Sequence, residues 1–164
     1  MNITVRQIEL NDVTGFHNAL SSVAAEKKYL LTVEPPPLDR VHDFVSKNVE
    51  QNHAQYVAVA GDSVVGWADI VPASRQSMEH VGRLGMGVIA EYRGRGIGDQ
   101  LLKDAIAHAW RQGLKRLELE VFADNKAAIN LYRKHSYQVE GVKRYARYLD
   151  DAYQDVVIMA QYRV

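Results

Sequence analysis

The chain has 164 residues, enough for one domain with a substantial core of its own. Twenty basic residues balance twenty acidic ones at a pI of about 7.0, which argues against a broad basic face for nucleic acid. No cysteine is present, which excludes disulfides, thiolate metal sites and any acyl-cysteine intermediate. The start Met1-Asn2-Ile3-Thr4-Val5-Arg6 has no apolar leader core, and no apolar run approaches the roughly 18 residues of a membrane span, so a cytoplasmic protein is expected. The six histidines show no paired spacing, and no metal is expected.

In chain order, Ile3, Val5 and Ile8 predict a strand over 2–9. Asn11 or Asp12 then caps a helix to about Lys28, with Val13, Phe16, Leu20 and Val23 at helical spacing. Pro35, Pro36 and Pro37 interrupt the pattern, so that 29–37 reads either as a rigid pocket wall or as a linker. Val41, Phe44, Val45 and Val49 restart a helix over 38–49. A meander follows, with strands over 56–60 and 64–71 around the turn Gly61-Asp62-Ser63, and a third strand from about Glu79 to Val88. Gly85 and Gly87 within that strand mark either a bulge or a close ligand approach, and the sequence after Val88 favours the ligand. Leu101, Leu102, Ala105, Ile106, Ala109 and Trp110 give one apolar side of a helix that Gly113 ends. Leu117, Leu119 and Val121 alternate with Glu118 and Glu120 as a strand, which the short connection makes the parallel partner of the strand before the helix. Asp124 or Asn125 caps another helix carrying Ile129, Leu131 and Tyr132. Residues 137–142 and 153–162 form two antiparallel strands joined across Leu149-Asp150-Asp151-Ala152.

The most informative stretch is Val88-Ile89-Ala90-Glu91-Tyr92-Arg93-Gly94-Arg95-Gly96-Ile97-Gly98, a strand end, a glycine turn and a helix start. A helix N-terminus offers unpaired N–H groups and a positive dipole end, so this order makes an anion site, most often for phosphate. The dinucleotide fingerprint fails because its third glycine would fall on Asp99. A P-loop fails because no Lys-Ser or Lys-Thr follows Gly98.

Arg93, Gly96 and Gly98 do fit Arg-x-x-Gly-x-Gly, which resembles the pyrophosphate motif of the GNAT superfamily of acyl-CoA-dependent N-acyltransferases. The run from Val121 through Asn125, Ala127 and Ala128 to Leu131-Tyr132 resembles that family's second motif. The resemblance covers about Leu84 to Met159; within it, Glu140-Gly141, Tyr153-Gln154-Asp155 and Met159 look like bacterial members that acetylate small amines or free amino acids. One departure is Ser136, where the family usually has the glycine that ends the helix. A left-handed residue other than glycine there costs on the order of 1 kcal/mol.

The resemblance implies a single mixed α/β domain over 1–164, with a largely antiparallel, splayed central sheet of six to seven strands and about four helices on both faces. It implies direct transfer of acetyl from acetyl-CoA to a primary amine, with a small molecule such as a free amino acid preferred. A protein N-terminus or lysine as acceptor, and a non-catalytic acyl-CoA sensor, are the alternatives. By the same resemblance, backbone N–H groups of Arg93, Gly94, Arg95, Gly96, Ile97 and Gly98 hold the pyrophosphate, with the arginine side chains adding charge-assisted contacts. Val88 N–H polarises the thioester carbonyl, Asn125 contacts the pantetheine arm or caps its helix, and Tyr132 is the general acid. No motif assigns the general base; Glu34, Glu79, His80 and Glu120 are candidates acting through water. A homodimer is left open by the family and has no visible interface in the sequence.

Overall fold

The computed structural model describes residues 2–164; Met1, part of the start read above for a leader, lies outside them. Strand alternation and helical apolar stripes produce, in order, β1 (Ile3–Gln7), α1 (Val13–Ala25), α2 (Leu38–Glu50), β2 (Ala54–Ala60) and β3 (Ser63–Pro72). There follow β4 (Val81–Val88), α3 (Ile97–Arg111), β5 (Arg116–Phe122), α4 (Lys126–Lys134), β6 (Gln138–Leu149) and β7 (Ala152–Tyr162). The seven strands form one sheet in the order β1-β2-β3-β4-β5-β7-β6, antiparallel at every pairing except β4 with β5. The mixed α/β architecture and the parallel pair are those expected from the sequence. No helix among the described residues is long and apolar enough to cross a membrane.

Each face of the sheet has its own apolar layer. Val57 and Trp67 pack with Phe16, Ala19 and Val23 of α1 and with Val41 and Val45 of α2. Ala58, Ala68, Ile70, Leu84, Leu117 and Leu119 lie opposite, against Leu101, Leu102 and Ala105 of α3 and Ile129 and Tyr132 of α4. Leu101 and Leu102 are fully buried, and burying each side chain contributes about 1.5–3 kcal/mol.

The feature that positions a site is a split in the middle of the sheet. β4 and β5 pair only where Val81, Gly82 and Arg83 meet Arg116, Leu117 and Glu118. Beyond this, β4 stays with β3 and β5 stays with β7, so the strand ends Leu84–Val88 and Leu119–Phe122 diverge. Exposure records the divergence: Leu84 is buried, whereas Gly85 to Ile89 are all half-buried.

Four local expectations change. α1 ends at Ala25, short of Lys28, because Lys27 turns left-handed at φ 58°. β4 begins at Val81, after a 3₁₀ turn over Gln76–Met78, so Glu79 and His80 precede the strand. β6 does not stop at Val142. It continues to Leu149 through an irregularity between Lys143 and Arg147, where Tyr145 has φ 52° and its N–H donates to Asp155 Oδ1 at 3.0 Å. The hairpin then closes through Asp150 and Asp151, both at positive φ, as two-residue hairpin turns require.

The fourth change concerns the glycines of β4. Pairing of β3 with β4 is regular from Gly66↔Val88 to Pro72↔Gly82, so no bulge is present. A Cβ at Gly87 would lie 2.4 Å from the Trp67 indole, which crosses directly over it, and this packing by itself calls for glycine. Gly87→Ala is therefore expected to cost about 1–3 kcal/mol through overpacking, read as a fall of several degrees in thermal melting. Gly85→Ala, where the new Cβ would sit 3.4 Å from Asp69 Oδ1, is expected to be milder on the same measurement.

At the end of α4, Ser136 takes φ 73°, so the helix closes left-handed as a glycine would close it. Tyr137 N–H donates to Tyr132 O at 3.0 Å and Ser136 N–H to Arg133 O at 3.0 Å, which fixes the turn despite the missing glycine.

Candidate active site

The gap between the diverging strands is a cavity of about 500 Å³ that passes through the sheet. On one side it is bounded by Ile97, Gly98, Asn125, Ala128, Leu131 and Tyr132, from the starts of α3 and α4 and the body of α4. On the other it is bounded by Val23 of α1 and by Tyr29, Leu30 and Leu31. Only this first part of the 29–37 segment forms a wall; the prolines do not line the cavity, and Pro36 O instead meets His17 Nε2 at 3.0 Å.

At the α3 end, Gly94 and Gly96 have φ of 75° and 78°, and a Cβ on either would meet open space. These turns bring the chain round so that the first intrahelical bond is Gln100 N–H to Gly96 O at 3.2 Å. The amides of Ile97, Gly98 and Asp99 belong to the first helical turn and have no intrahelical acceptor, so they face the rim with the positive end of the helix dipole. Arg95 is exposed; its Nη2 donates to Glu91 O at 2.9 Å and its guanidinium lies 4.9 Å from the Tyr92 ring centroid.

Arg93 is placed differently from a free anion ligand. Its Nη1 and Nη2 donate to Glu26 Oε1 and Oε2 at 2.8 and 2.5 Å, and its Nε donates to Val88 O at 2.8 Å. The Tyr29 ring covers the guanidinium at 4.4 Å. The side chain thus ties the end of α1 to the end of β4. The hydrogen bonds from Arg93 hold the Glu26 carboxyl below the usual carboxylate range. Such a depressed pKa gives stability that is present above the unfolded-state value and lost as pH falls through the folded one. Both side chains are about a third exposed, so Glu26→Gln is expected to cost only about 1 kcal/mol at pH 7. Thermal melting should show a deficit of about 2–4 °C that holds down to the unfolded carboxylate value of 4.5 and closes below it, as pH falls through the depressed Glu26 value.

The orientation of Val88 follows from strand alternation. Ile89 N–H donates to Val65 O on β3 at 2.9 Å. Successive residues of a strand direct their amides to opposite edges, so Val88 N–H points away from β3 into the gap. Val88 O lies on that same edge, where Arg93 caps it.

Asn125 lines the cavity and caps α4, its Oδ1 accepting from Ala128 N–H at 3.2 Å. Tyr132 lines it as well and is 9% exposed. Its ring packs edge-on against Tyr137 at 6.0 Å, and burial pushes its hydroxyl up to about 12.

Of the carboxylates and histidine considered as bases, Glu120 lines the cavity and is held by Lys143 Nζ at 2.5 Å. Glu34, Glu79 and His80 do not line it. The sequence reading missed Asp69 of β3, which stands across from Gly85 and whose carboxyl is pushed up to about 7 by burial. The available signal was a single carboxylate in the apolar strand Val64 to Val71. Among the described residues there is no cluster of three or more side chains able to hold a metal.

This arrangement agrees with known proteins. The chain is 31% identical over 164 residues to the L-amino acid N-acetyltransferase AaaT of Escherichia coli (strain K12), covering 97% of each chain. It superposes at a TM-score of 0.91 on a GNAT-family acetyltransferase from Streptococcus pneumoniae, with 25% identity, covering 99% of this chain and 100% of that one. It superposes equally well, TM-score 0.91, on yncA of Salmonella typhimurium, solved with its cofactor acetyl-CoA; coverage is 99% and 94%. Identity there is 16%, which shows a common fold alone. The family model for acetyltransferases of the GNAT family matches residues 21–137, from the end of α1 through both motifs, and the chain belongs to that family.

Proposed function

We propose that the protein transfers acetyl from acetyl-CoA directly to a small primary amine, with a free L-amino acid as the preferred acceptor. The observation that carries this reading is the convergence on one cavity of three things: the open amides at the start of α3, the Val88 N–H and the Tyr132 hydroxyl. Bound there, acetyl-CoA supplies an acyl group activated as a thioester.

The amides from Gly94 to Asp99 hold the pyrophosphate, and the neutralised Arg93 shapes the turn from behind. Val88 N–H donates to the thioester carbonyl, where negative charge develops as the amine attacks. Tyr132 donates its proton to the leaving sulfur. The amine enters from the opposite face, between Val23, Tyr29, Leu30 and Leu31 on one side and Phe122 and Val156 on the other. These walls suit a compact acceptor with an apolar side chain, and the relation to an L-amino acid N-acetyltransferase over nearly the whole chain supports the same class.

The test is release of free CoA thiol from acetyl-CoA across L-amino acids, polyamines and peptides bearing free N-termini. The protein has no cysteine to react with the thiol reagent. Release dependent on L-amino acids supports the proposal. Release with peptides alone, or with no amine, overturns the choice of acceptor or the activity respectively.

A further inference from the structure

We propose that Asp69 receives the proton of the acceptor amine, through water in the cavity at Gly85. This rests on the N-acetyltransferase reading above. The strand register sets Gln55, Asp69 and Gly85 in one row across β2, β3 and β4. Gly85 lines the cavity, and its missing side chain leaves Asp69 Oδ1 3.4 Å from where a Cβ would stand. No side chain at position 85 therefore stands between the carboxylate and the cavity.

Two polar groups in this row lack partners. Gln55 is fully buried and its Nε2 has no hydrogen bond, although Asn48 Nδ2 donates to its Oε1 at 2.8 Å. The Asp69 carboxylate accepts no hydrogen bond from any described residue, yet it stays half-buried beside the fully buried Ala68 and Ile70. Gln55 Nε2 is closed to water, whereas the half-buried Asp69 keeps some exposure, so water can reach its carboxylate and satisfy it.

The surroundings of Asp69 are neutral. Gln55 faces it from β2 and Gly85 from β4, with Asn48 of α2 bonded to Gln55, while α1 contributes apolar residues such as Val23 to the layer above Trp67. Beyond Gln55 and Asn48 the hydrogen-bonded chain reaches His53, whose Nδ1 meets Asn48 Oδ1 at 3.1 Å and whose pKa burial lowers. Burial alone raises the Asp69 carboxyl to about 7, which suits a base that must take and release protons near neutrality.

In the reaction the ammonium passes one proton through water to the Asp69 carboxylate. The neutral nitrogen then bonds to the acyl carbon as the C–S bond breaks, and Tyr132 protonates the sulfur. The second amine proton replaces the one Tyr132 gave, and Asp69 releases its proton to solvent. Val88 and Gly85 are three residues apart, about 10 Å along β4, so this transfer needs water.

Asp69→Asn keeps shape and removes the titration. With an L-amino acid at pH 7, kcat is expected to fall about 10²-fold with acetyl-CoA affinity unchanged. The deficit should shrink as pH rises through the pKa of the amino acid's own α-amino group, above which the amine loses its proton unaided. The acid limb of kcat/KM near pH 7 should vanish in this variant and persist in Glu120→Gln. In ligand-free wild type, ¹³C titration of the Asp69 carboxyl should show a midpoint near 7, a readout that needs neither turnover nor a folded variant. Full kcat and an unchanged pH profile in Asp69→Asn overturn the proposal, as does an acid limb that moves with Glu120→Gln. A wild type inert toward every amine removes the acetyltransferase reading and this proposal together.

Discussion

Tyr132→Phe is expected to lower kcat by about 10²–10⁴-fold while leaving acetyl-CoA affinity and thermal stability nearly unchanged. The substitution removes one oxygen from a side chain whose ring lies in the core between α4 and Tyr137. That oxygen has no partner among the described residues, so its loss breaks no internal hydrogen bond, and phenylalanine preserves the packing. Burial raises the hydroxyl to about 12, so it stays protonated across any working pH and adds no alkaline limb to the rate profile. Against a free thiolate, with a reference pKa of about 8.5, such a phenol is a weak acid. The same cavity walls, among them Met86, Val121 and Leu131, desolvate the sulfur as it leaves and raise its proton affinity in parallel. Desolvation of the sulfur therefore narrows the gap that makes the transfer uphill in water. Single-turnover acetylation with saturating acetyl-CoA measures this step. A phenylalanine variant with wild-type kcat would show that water protonates the sulfur.

What the sequence made legible was local. Gly94, Gly96 and Gly98, Asn125 and Tyr132 lie within single turns or one helical repeat of their motif partners, and the structure brings all of them to one cavity or its rim. Asn125 and Ser136 show the limits of the cap and helix-end signals and their strength: each sits at the helix boundary assigned to it. What remained hidden depends on register between distant segments. Glu26, which takes up the Arg93 guanidinium, follows the last residue of α1, and its proximity depends on how α1 meets the end of β4. Gly87 lines the cavity as a ligand approach requires, but its need for glycine also comes from Trp67, on a different strand, lying over it. Glu79 and His80 come just before the strand that ends at Val88, but a strand of eight residues carries its two ends roughly 23 Å apart, which leaves them at the paired, closed end of the split. Asp69 is the reverse case: far in sequence from either motif, it is set beside the cavity by cross-strand pairing with Gly85.

Gly98→Val is expected to weaken acetyl-CoA binding by about 10²–10⁴-fold, the loss of two charge-assisted hydrogen bonds of about 1.5–3 kcal/mol each. Gly94 and Gly96 need glycine for their left-handed backbone, but Gly98 does not: it lies in the first turn of α3 without a positive φ. A Cβ there would sit 3.5 Å from Leu131 Cδ2 and from Met86 Cε, an ordinary contact. Nothing in the fold itself excludes alanine, which as a better helix former would add up to about 1 kcal/mol of stability. Leu131 and Met86 both line the cavity, so the new methyl groups project into the space beside the α3 amides that an incoming pyrophosphate and pantetheine arm must share. Fold and ligand thus make opposite demands at one position, and this separates them experimentally. Gly98→Ala should melt no lower than the wild type while binding acetyl-CoA more weakly, and Gly98→Val should extend the loss of affinity. Calorimetric titration gives the affinity and thermal melting without ligand gives the stability. Wild-type affinity in Gly98→Val would move the anion away from the start of α3; loss of stability in Gly98→Ala would place the demand for glycine in the fold.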